Sequence, residues 1–278
     1  MVSRRTVQIG ALGCLLDLIN IAGHAEDVSI QTLSIVPSLP PSLRDYTGRP
    51  DLNVKEYAEL VFNVLNQRQA QGIESPTPEQ TIVAKAIIKF VQDRLCITPY
   101  DVANLLLDVA ESRLLSTPFI WSSYMRAWPV KANPLIMEFF SSTRTVPRGD
   151  TTAWCSAFVN WCSSVTQKSS ARTGDARALS YANPSEPGWV KCVTFEDGLP
   201  KVTIQPREGD IIVFEDRGSP GSGHVAFFVS MDTRSVVLLG GNQISSNTHS
   251  ISRQRWLLKS SKSTALVIMT HPTLHRSI

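Results

Sequence analysis

The sequence predicts an α+β protein with its helices first and an antiparallel sheet after them. Helix-start signals and apolar spacings of three and four residues recur up to about residue 167, and beyond that point the apolar residues gather into β-rich runs between turn signals. The composition agrees: 278 residues with 42% apolar content supply a sizeable core without metals or disulfide staples. A formal net charge of only +3, with lysines and arginines dispersed, gives no electrostatic footprint for nucleic acid.

Residues 1–25 read as an export signal: Arg4 and Arg5 precede an apolar stretch from Val7 to Ala22, and Gly23-His24-Ala25 places small residues at both cleavage-determining positions. The expected products are a periplasmic or secreted chain starting at Glu26, or one anchored by an uncleaved segment. No other stretch approaches the roughly 20 apolar residues that span a bilayer, so a cleaved chain has no stable membrane insertion. Residues 26–52 carry Pro37, Pro40, Pro41 and Pro50 without periodicity and read as an extended linker.

Residues 53–130 then read as a helical region of unknown role. Asn53 with Glu56 resembles a capping box ahead of Val54, Ala58, Val61 and Leu65. Thr77-Pro78-Glu79-Gln80 places a cap, a first-turn proline and a third-position glutamine ahead of Ile82, Ile87, Phe90 and Val91, and Thr98-Pro99-Tyr100-Asp101 does the same ahead of Val102, Leu105, Leu106 and Val109. Residues 131–278 are expected to form a second domain. Asn133-Pro134 opens a short helix through Phe140, and residues 150–167 form another, with Trp154, Phe158, Trp161 and Val165 as one apolar stripe. Strands follow at Ile211–Phe214, His224–Met231, Ser235–Leu239 and Thr264–Met269.

Two residues in this frame carry chemistry. Cys155 lies in the first turn of the Trp154 helix, where unsatisfied N–H groups and the macrodipole favour a thiolate. His224 opens a strand directly after Gly218-Ser219-Pro220-Gly221-Ser222-Gly223, a loop through which a substrate can come close. An imidazole there suits the exchange of a proton with a thiol near neutrality. The loop is not a phosphate cradle, because no Gly-Lys-Ser or Gly-Lys-Thr follows it. If Asp232–Ser235 make the next turn, Met231 pairs with Val236 and His224 falls opposite about Gln243, so either Asn242 or Gln243 faces the imidazole. Asp175, Arg177 and Asp210 are cleft candidates, Asp210 most simply as a turn cap. His249, His271 and His275 have no partners at metal-ligand spacing, and there is no His-Glu-x-x-His or Cys-x-x-Cys pair, so no metal or organic cofactor is expected.

Five ordered blocks resemble the CHAP-type and NlpC-type cysteine peptidases over about residues 133–260. They are Trp154-Cys155-Ser156-Ala157-Phe158-Val159-Asn160-Trp161, Thr173-Gly174-Asp175-Ala176-Arg177-Ala178, Gly209-Asp210-Ile211-Ile212-Val213-Phe214, Gly223-His224-Val225-Ala226-Phe227-Phe228-Val229 and Leu239-Gly240-Gly241-Asn242-Gln243. The resemblance implies a papain-like domain, with the nucleophile helix packed on an antiparallel sheet. It also implies an amidase or endopeptidase acting on peptidoglycan peptide stems, with Cys155 as nucleophile, His224 as base and Asn242 as the residue that orients it. Trp154, Gly223, Gln243 and Arg177 are the expected substrate-binding residues. The loop before His224 departs from the pattern in lacking an aromatic residue. The alternatives are an acyltransferase or toxin-like amidase on another acyl substrate, or a non-catalytic wall-binding module.

Overall fold

The computed structural model describes residues 72–94, 96–166, 170–245 and 248–275. The export signal, the linker and the helix expected from Asn53 lie outside the described residues.

The predicted helix starts form through their caps. In α1 (Pro78–Gln92) the Gln80 N–H donates to Thr77 Oγ1 at 3.3 Å and the Thr77 N–H to Gln80 Oε1 at 2.8 Å, a reciprocal box that satisfies two otherwise orphaned donors. In α2 (Pro99–Ala110) Thr98 and Asp101 make the same exchange at 3.1 and 2.9 Å. Asn133 caps α3 (Pro134–Phe139) by accepting the Leu135 N–H at 2.9 Å, while its Nδ2 donates to the carbonyls of Tyr124 and Arg126, each at 2.7 Å. A 3-10 turn over Phe140–Ser142 continues α3. The next helix, α4 (Cys155–Val165), starts later than the apolar stripe alone suggests, because Asp150 leaves the helix to accept the backbone N–H groups of Trp128 and Asn133 at 2.7 and 2.9 Å. Burial in this knot pushes the Asp150 carboxyl up to about 6.

Seven strands follow: β1 (Val190–Glu196), β2 (Leu199–Val202), β3 (Ile211–Asp216), β4 (Gly223–Met231), β5 (Ser235–Ser245), β6 (Thr248–Leu257) and β7 (Ser263–Thr270). They form one antiparallel sheet in the order β2-β1-β7-β3-β4-β5-β6. The uninterrupted apolar runs β3, β4 and β7 are therefore central, as expected of strands buried on both faces. Ile211, Val213, Val225, Phe227, Val267 and Met269 face the helices in one core. Ile212, Phe214, Ala226, Phe228 and Ile268 point the other way into a second core closed by Phe195 and Trp256 of the same sheet and by Leu258 just after β6. The sheet must curl to do this: Phe214 and Trp256 are three strand spacings apart, about 14 Å if flat, yet their ring centroids are 5.2 Å apart.

Three strands carry too weak a hydropathy signal to predict. The hairpin β1–β2 turns on Asp197-Gly198, both in the left-handed region with φ of 52° and 83°, a pairing that suits the twist of a two-residue hairpin. Strand β6 is built mostly of polar residues. Among the described residues no helix is long and apolar enough to cross a membrane.

The expected register also needs a correction. Met231 does pair with Val236, but a bulge between Phe228 and Ser230 shifts the ladder by one, so that Phe227 pairs with Leu239. Strand β5 bulges again between Gly240 and Gln243 against β6. The same shift carries the position opposite His224 from Gln243 to Asn242, and a Cβ at Gly240 would stand 3.5 Å from His224 Nε2.

Candidate active site

The cysteine sits where helix and sheet meet. Cys155 is the first residue of α4, which docks on β4 and β5, with Phe158 and Phe227 in edge contact at 6.3 Å. Its thiol is buried and faces the backbone N–H of Val225, the residue that follows His224. That N–H and those of Ser156 and Cys155 favour the thiolate, but burial outweighs them and the thiol ends above its ordinary value. The lowering expected from the helix start alone is therefore reversed.

His224 is the second residue of β4 and is only 8% exposed. Its ring stacks on Trp256, with centroids 4.7 Å apart and planes at 24°, and the Trp256 N–H donates to Gln254 Oε1 at 3.0 Å. Burial, with a smaller contribution from nearby His249, pulls the imidazole down to about 4, so it is neutral at pH 7 and able to accept a proton. Its Nε2 is fully buried and hydrogen-bonds to none of the described residues. Neither His249 nor Trp256 is singled out by the sequence; both lie on β6, and their nearness to His224 follows from the curl of the sheet.

The glycine pair in β5 explains how the strand passes between these groups. A Cβ at Gly240 would stand 2.9 Å from Ala226 Cβ and 3.5 Å from His224 Nε2, and one at Gly241 would stand 2.4 Å from the Trp154 ring. Asn242 follows in the left-handed region, φ 60°, half-buried, with its carbonyl 3.4 Å from His249 Nδ1. Gln243 is buried, and its amide suits every neighbour in one orientation: Oε1 accepts the Gly240 N–H at 2.9 Å, and Nε2 donates to Ser252 O and Oγ, each at 3.2 Å.

A groove of about 470 Å³ opens beside His224, lined by Gly223, His224, Asn242, Ile244, His249 and Trp256 among others but not by Cys155. Gly223 lines the groove, and a Cβ there would stand 2.1 Å from the Phe214 carbonyl oxygen. Trp154 and Arg177 do not line it. Trp154 is fully buried against Phe139, ring centroids 6.0 Å apart, which leaves it no surface for a substrate. Arg177 pairs with Asp175 at 2.6 Å, and the Asp175 carbonyl accepts Ser156 Oγ at 2.6 Å, so this loop straps down the head of α4. Asp210 caps its turn by accepting the Arg207 N–H at 2.7 Å and also holds His275 at 2.7 Å, a partner that sequence spacing does not reveal. Cys162 and Cys192 are free thiols in separate cores.

A cysteine heading a helix, docked on an antiparallel strand whose second residue is a histidine, is a layout suited to thiol-dependent acyl chemistry. Residues 147–242, from the loop before Cys155 to Asn242, match the family model of the CHAP domain. No curated protein and no solved structure matches the chain. Helices α1 and α2, Gln243, His249 and Trp256 lie outside the matched residues.

Proposed function

We propose that the protein is an exported thiol hydrolase that cleaves an amide bond in the peptide stems of peptidoglycan. The observation that carries this reading is the Cys155 thiol set against the Val225 N–H of β4, one residue after the buried, neutral His224, within a segment that matches the CHAP model. His224 takes the Cys155 proton as the sulfur attacks the carbonyl carbon. The backbone N–H of Cys155 stabilises the oxyanion that forms. The C–N bond then breaks, the amine leaves with the proton from His224, and an acyl-thioester remains on Cys155. Water, deprotonated by His224, adds to the thioester, and the acid and the free thiol are released. Gly223 and Asn242 flank the ring on the groove side and meet the substrate. Export rests on the signal read in residues 1–25.

The test is digestion of purified peptidoglycan by the protein beside Cys155→Ala, with mass analysis of the fragments. Release confined to the intact cysteine supports the reading, and the new ends separate amidase from endopeptidase. No release by folded, reduced protein overturns the substrate assignment.

A further inference from the structure

The bulge in β5 brings a second polar side chain to His224. A Cβ at Gly240 would stand 2.6 Å from the Gln243 amide and 3.5 Å from His224 Nε2, so both groups border the space that glycine leaves open. Gln243 is 1% exposed and is held by Ser252 and the Gly240 N–H, and the orientation that satisfies those partners turns its oxygen toward this space. On the other side His224 Nε2 is buried and hydrogen-bonds to none of the described residues. Asn242, the residue that the family resemblance puts in the orienting role, has its backbone turned by the bulge to φ 60° and presents its carbonyl to His249 at 3.4 Å.

From this arrangement we propose that Gln243 is the positioning residue for the base: its Oε1 accepts the Nε2–H of His224 across the missing side chain of Gly240. The bridge closes by a small turn of the ring or through one ordered water, and either way the proton is fixed on Nε2. Nδ1 is then the unprotonated nitrogen that takes the Cys155 proton. Trp256 holds the ring from its face, and Gln243 from its edge. Gly240 is needed because any side chain would push the amide away. His249 from β6 lies near the ring, with Glu215, Asp216, Arg255 and Lys262 along the same groove; none of them hydrogen-bonds Nε2. The inference rests on His224 being the base, and extends that reading to a residue beyond the matched segment.

The ring nitrogens report on it directly. Long-range proton–nitrogen NMR of the full chain near pH 7 should show His224 as the Nε2–H tautomer; an Nδ1–H ring in the wild type overturns the proposal. Gln243→Leu should mix the tautomers and lower kcat on peptidoglycan by on the order of 100-fold with KM little changed. Gln243→Glu keeps an acceptor and adds a charge, so the tautomer should persist and the acid limb of the pH profile should move upward. An unmoved limb, or a tautomer that follows Asn242→Ala instead, overturns the assignment. The tautomer is read without substrate, so a failed digestion beside an Nε2–H ring that depends on Gln243 would sink the peptidoglycan reading and leave this one standing.

Discussion

At Cys155 two effects of opposite sign meet. The head of a helix favours a thiolate by a few tenths to about 1 kcal/mol in exposed settings, whereas removing the sulfur from water penalises the charge, and here the second effect wins. With His224 pulled down to about 4, thiol and imidazole are both neutral at pH 7, which is not the charge state of a preformed ion pair. In the proposed reaction, proton transfer then accompanies attack. Because only the thiolate reacts with iodoacetamide, modification mapped to the Cys155 peptide should be slow at pH 6–7 and still rising above the ordinary thiol range of about 8.5. A rate already at its plateau near pH 5 would show an ion pair and contradict this account. The placement of Cys155 at a helix start and of His224 after a glycine-rich turn was legible in the sequence because both signals are local. Trp256, His249 and the environment of Gln243 were not, since each depends on which side of a curled sheet a polar strand turns.

Elements whose ends are fixed by short-range chemistry matched expectation best. Helices α1 and α2 start at the predicted residues because a threonine, a proline and an acidic or amide residue settle the first turn locally. Thr98 is 7% exposed, so truncating it strands the Asp101 N–H away from water. Thr98→Ala should therefore cost about 1–2 kcal/mol, read as a lower urea midpoint at constant slope; an unchanged midpoint would mean that packing alone fixes the start of α2. The strands divide on the same principle. Central β3, β4 and β7 announce themselves through apolar runs, whereas the polar β6 shows no such run. The register near the site was not legible at all, because it turns on bulges at Phe228–Ser230 and Gly240–Gln243 that depend on the neighbouring strands.

Across the whole molecule the helical part and the sheet share one core. Val102, Leu106, Leu107, Tyr124 and Met125 are buried in the same cluster as Phe158, Phe227 and Ile251. Tyr100 meets Phe227 with ring centroids 6.0 Å apart, Arg253 Nη2 donates to Asn104 Oδ1 at 2.8 Å, and the Ala127 N–H donates to the His249 carbonyl at 2.8 Å. That last bond joins the helical part to a residue of the groove itself. Removing everything before residue 131 would expose the apolar faces of α3, α4 and β4 at about 1.5–3 kcal/mol for each large side chain. Four such residues already match the total stability of about 5–15 kcal/mol that an ordinary domain has. A fragment of residues 131–278 should therefore show no cooperative unfolding transition and no dispersed NMR spectrum, while the full chain melts with its site and its helices in a single step. A fragment that melts sharply on its own would mean that the segment matching the CHAP model and the strands after it carry their own core, with α1 and α2 as an appended cover.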